Sequence, residues 1–71
     1  MSSFEVFVNV IRGAGEKVGE VIVPVIANSK SQAMTVAERF VNMSTASNEF
    51  GEATWVDQIF PPPMGPTAVA A

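Results

Sequence analysis

The stretch that decides the fold is Val21-Ile22-Val23-Pro24-Val25-Ile26-Ala27-Asn28-Ser29-Lys30-Ser31-Gln32-Ala33. Up to Ala27 it is mostly β-branched, a composition suited to a pleated, half-buried strand. After Asn28 the pattern becomes that of a helix start. Ser29 and Gln32 have the spacing of a capping box, in which the serine hydroxyl accepts from the Gln32 amide and the Gln32 side chain reaches back. Ala33, Ala37, Phe40, Val41 and Ser44 then recur at helical spacing, with Met34 beside them. Gln32, Thr35, Glu38, Arg39 and Asn42 make the polar face. The two alanines let the helix lie close to a sheet, and Phe40 is expected to supply its bulk.

Upstream, residues 4–11 alternate. Phe4, Val6, Val8 and Val10 point one way, and Glu5, Phe7, Asn9 and Ile11 the other. The first set reads as core, and the second as a partly covered face. Arg12 to Lys17 is a turn whose glycines tolerate positive φ. Residues 18–27 form a second strand, apolar on both faces at its centre. Pro24 cannot donate to a ladder, which marks this strand as an edge. An edge apolar on both sides needs cover.

Downstream, residues 44–52 are small and polar and read as a loop. Residues 53–60 form a third strand holding Trp55, Val56, Ile59 and Phe60. Pro61-Pro62-Pro63 then favours an extended polyproline conformation. The predicted fold is α+β in the order β-β-α-β: a three-stranded sheet, spatial order 2-1-3, with one helix on one face. Residues 1–60 make a single compact domain and residues 61–71 a Pro-rich extended tail. The face opposite the helix is left uncovered.

Composition narrows the function. At 71 residues the chain sits near the lower limit for independent folding. It has no cysteine and no histidine, so disulfides and thiolate or imidazole metal ligands are excluded. Apolar residues make up 48% and charged residues only 15%, so the chain is too apolar to be disordered and must expose some of its apolar surface. The remaining route to stability is association. No apolar run approaches the roughly 20 residues of a membrane span, and Met1-Ser2-Ser3-Phe4-Glu5 lacks the basic start of a secretion signal.

No catalytic constellation emerges. Gly13-Ala14-Gly15-Glu16-Lys17-Val18-Gly19 superficially resembles a phosphate loop, but these glycines open a strand rather than a helix. The carboxylates lie on polar faces or in loops, and no serine has a histidine to activate it. No catalytic residue, cofactor or metal is expected. Seven residues are interface candidates: Phe7, Ile11, Ile22, Pro24, Ile26, Trp55 and Phe60. Trp55 reads equally well as core filler or as part of a docking arm with the prolines. Arg12, Lys17, Lys30 and Arg39 are the candidates for nucleic-acid phosphates, against a net charge of −3.

The strand running into Ala27-Asn28-Ser29-Lys30-Ser31-Gln32-Ala33, followed by Ala37-Glu38-Arg39-Phe40-Val41, resembles small uncharacterised marine-phage proteins of the cyanophage type. In these a capped alanine-rich helix follows a valine-rich hairpin. The resemblance covers residues 4–43 and implies a phage origin, in the cytoplasm of an infected bacterial host or in a virion, and not a secreted protein. The expected function is that of a non-catalytic structural or interaction protein, a homo-oligomer or a component of a larger virion or host assembly. The alternative is an Sm-like ring binding nucleic acid, although a central helix departs from the usual Sm order.

Overall fold

The computed structural model describes residues 1–59 and 68–69. Strand β1 (Ser2–Arg12) and strand β2 (Glu16–Ala27) form an antiparallel hairpin. Gly13 (φ 59°) and Gly15 (φ 130°) take the left-handed conformations that its three-residue turn needs, and the Gly15 amide closes it by donating to the Arg12 carbonyl. Helix α1 (Lys30–Asn42) follows, and then strand β3 (Glu49–Gln58), antiparallel to β1 on its other side. The α1 crossover therefore returns β3 parallel to β2.

The α+β class stands, but the sheet has four strands in the order β3-β1-β2-β4, not three in the order 2-1-3. The added strand, β4 (Ala68–Val69), pairs in parallel with Val25 and Ile26. Thus β2 is not a free edge along its whole length. The pairing begins at the first residue after Pro24. Phe60 and the prolines from Pro61 to Pro66 lie outside the described residues.

The core lies between the sheet and α1. It is built from Phe4, Val6 and Val8 of β1, Val23, Val25 and Ala27 of β2, and Ala33, Ala37 and Val41 of α1. Val6, Val8 and Val25 are fully buried. The start of α1 is as read from the sequence: the Ser29 hydroxyl accepts from the Gln32 amide at 3.1 Å. The Gln32 side chain reaches one residue further back than Ser29, accepting from the Asn28 amide at 2.7 Å.

Phe40 departs from expectation. It is 53% exposed and lies outside the core cluster. The contact stripe of α1 is centred on Ala33, Ala37 and Val41, which seats the helix close to the sheet and leaves Phe40 on its flank. The predicted loop is also shorter than expected, because β3 begins at Glu49.

Two acceptors one helical turn apart bind α1 to the outer edge of β3. The Gly51 amide donates to Asn42 Oδ1 at 2.6 Å, and the Ala53 amide donates to Glu38 Oε2 at 2.9 Å. Alternate residues of an edge strand turn their amides outward. Here a helix carrying acceptors at i and i+4 occupies two of them, which masks part of an edge otherwise open to strand addition.

Candidate functional site

The face of the sheet away from α1 holds most of the predicted interface residues. In an antiparallel pair, directly opposed residues share a face, so the registers of β1 with β2 and β3 define rows across it. Pro24, Glu5 and Asp57 form one row, Ile22, Phe7 and Trp55 the next, and Glu20, Asn9 and Glu52 a third. Beyond these, Ser3 lies opposite Ile26, and Ile11 stands between Lys17 and Phe50. Six predicted residues (Phe7, Ile11, Ile22, Pro24, Ile26 and Trp55) therefore share one face. Phe60 lies outside the described residues.

Trp55 is on this face because of a bulge. Ala53 pairs with Val8 and packs against the core, so strict alternation would also turn Trp55 toward the helix. Thr54 is the inserted residue: the register jumps from Val8–Ala53 to Phe7–Trp55. The Thr54 hydroxyl donates to the Phe7 carbonyl at 3.3 Å. A bulge re-aims the side chains that follow it, and here it sends Trp55 outward and Val56 toward the core. Trp55 is 60% exposed, and its indole N–H donates to Asp57 Oδ2 at 3.0 Å on the same face. Of the two readings of Trp55, that of core filler is not what the fold adopts.

The row Ile22, Phe7, Trp55 is thus a band of exposed and half-buried apolar surface across three strands. Rows bearing carboxylates border it on both sides. Glu5 is directly opposite Asp57, a like-charge pairing that weakens a sheet. Among the described residues the basic side chain on this face is Lys17, whose ammonium is 3.1 Å from Glu20.

The four basic candidates are not gathered. Arg12 contacts Glu16 at 3.3 Å at the hairpin turn, and Lys17 is held by Glu20. Lys30 opens α1 at the far end of β2, and Arg39 lies roughly 14 Å further along the helix. No surface among the described residues presents them together.

On the helix side, a cleft of about 580 Å³ opens between the Val21–Pro24 portion of β2 and the end of α1, where Phe40 and Val41 of the helix and Ser44 just beyond it form its wall. It is not legible in the sequence, because it depends on Phe40 standing on the helix flank beside β2. Among the described residues no group of three or more acidic, histidine or cysteine side chains is placed to hold a metal ion, and no helix is long and apolar enough to cross a membrane. Compared with models of known families, with curated proteins and with solved structures, the chain matches none.

Proposed function

We propose that this chain is a non-catalytic interaction protein that works as part of a larger assembly and docks through the open face of its sheet. The row Ile22, Phe7, Trp55 is the observation that carries this reading. A chain this small buries only about 60% of the surface its unfolded form exposes, so an exposed tryptophan and isoleucine flanking a phenylalanine are costly unless something covers them. Aromatic anchors centred in a polar rim are the usual composition of a protein interface. The rim here is Glu5, Asp57, Glu20 and Glu52. A virion or host assembly is the setting that the phage resemblance implies.

The nucleic-acid alternative draws no support from the geometry. A base-stacking platform needs cations near its aromatic residues to hold the phosphates, and Phe7 and Trp55 are bordered by carboxylates instead.

Site-specific photo-crosslinking in the cell that makes the protein tests the proposal. A photoreactive amino acid in place of Ile22 or Trp55 is expected to give discrete crosslinked species. The same group in place of Thr35, exposed on the outer face of α1, should give none. Equal crosslinking from all three positions, or none from Ile22 and Trp55, would overturn the reading.

A further inference from the structure

Resting on that reading, we infer that the occupant of the open face is a cationic polypeptide segment, with an apolar side chain flanked by lysine or arginine, and not a second copy of this chain. Charge complementarity carries the inference. Among the described residues, four carboxylates (Glu5, Glu20, Glu52 and Asp57) lie on this face, against the side-chain ammonium of Lys17, which Glu20 already engages. Two copies stacked face to face would set carboxylate rows against carboxylate rows, and like charges brought together at an interface reject the wrong partner. A cation between Glu5 and Asp57 would instead offset their like-charge pairing.

The spacing narrows the occupant further. Alternate residues of a strand are about 6.8 Å apart, and this is also the step from the apolar row to each acidic row. An extended segment with the pattern cation-x-apolar-x-cation has the same repeat. Its apolar side chain would lie over Phe7, between Ile22 and Trp55. One cation would reach Glu5 and Asp57, and the other Glu52. A cation near Trp55 also meets the negative face of the indole.

The test uses the full chain and three short synthetic peptides: Ser-Lys-Ser-Leu-Ser-Lys-Ser, its glutamate counterpart with both lysines replaced, and a version with serine for leucine. Amide chemical shifts are followed by NMR at millimolar peptide concentration. The lysine–leucine peptide should shift the amides of Phe7, Ile22 and Trp55. The glutamate peptide should bind roughly tenfold more weakly, the factor that two or three modest ion pairs supply. Glu5→Gln combined with Glu52→Gln, which removes no core packing, should weaken the lysine peptide severalfold. Raising the salt from about 20 to about 200 mM should do the same.

Equal binding of the lysine and glutamate peptides would overturn the charge inference and leave the docking face standing. Equal binding of the leucine and serine peptides would reduce it to loose ion association. No shift with the lysine peptide would also refute it, while the crosslinking result decides the docking face separately. A concentration-dependent dimer abolished by Trp55→Ser would make a second copy the occupant. Shifts of the same three amides by single-stranded oligouridine would make it nucleic acid. Either result overturns the inference.

Discussion

Gly51 and Val41 approach so closely that no side chain fits between them: a Cβ on Gly51 would stand 2.9 Å from Val41 Cγ1, and 3.0 Å from Val8 Cγ1. This contact sets the depth at which α1 seats on the sheet. Gly51→Ala must push the helix outward or distort β3, and overpacking of this kind typically costs about 1–3 kcal/mol. Urea unfolding should show a lowered midpoint, and adding Val41→Ala should recover part of the loss. An unchanged midpoint would mean that the helix is not held at this depth.

Asn42 and Glu38 hold the same helix to the same strand by hydrogen bonds. Asn42→Ala leaves the Gly51 amide without its acceptor, and a partly buried unpaired amide costs about 1–3 kcal/mol. Asn42→Asp keeps an acceptor and should cost less. Amide hydrogen exchange is the direct readout: Gly51 should lose protection in the alanine variant, while Phe7 and Val8 of the central strand keep theirs relative to global stability. Equal protection of Gly51 in both proteins would rule the hydrogen bond out as a restraint.

The Ser29 cap is a local device with a predictable worth. Ser29→Ala removes the acceptor for the Gln32 amide and should destabilise the protein by about 1 kcal/mol, whereas Ser29→Asp should be nearly neutral. Thermal or chemical unfolding of the three proteins decides it, and a larger loss for aspartate than for alanine would contradict a capping role.

Deleting Thr54 tests the bulge. Without the inserted residue, alternation after Ala53 turns Trp55 toward α1 and Val56 outward. No space for an indole exists beside Ala33, Ala37 and Val41, so the deletion should destabilise far more than Thr54→Val, which keeps the residue count and loses only the hydroxyl bond to Phe7. Trp55 is the only tryptophan, so its fluorescence reports its surroundings without interference. The parent should show an indole readily quenched by the neutral quencher acrylamide. Equal stability of the deletion and of Thr54→Val would mean that the bulge does not set the face of Trp55.

Much of the fold was legible because its signals are local. The Ser29–Gln32 cap, the glycines of the hairpin turn and the alternation of residues 4–11 each act within a few residues, and each structure they specify forms. Pro24 cannot donate to a ladder and so reads as an edge residue, but an edge position is a property of the whole sheet, and β2 lies between β1 and β4. Only the return of Ala68–Val69 to β2 showed where the edge ends. Helical periodicity gives a stripe and not its centre, which is why Phe40 reads as core in the sequence and stands on the flank in the fold. The centre is set by Gly51 and the two alanines, contacts distant in sequence from one another.

The candidate site divides along the same line. The sequence by itself determined that one face of the hairpin carries Phe7 and Ile11 beside polar residues, and that a chain this apolar and short has surface to cover. It left the face of Trp55 undecided. Side-chain parity in a strand is lost wherever one residue is inserted, and whether Thr54 bulges depends on its pairing with β1, more than forty positions away. Tertiary pairing therefore decided that Ile22, Phe7 and Trp55 form one band, and that carboxylates rather than cations border it.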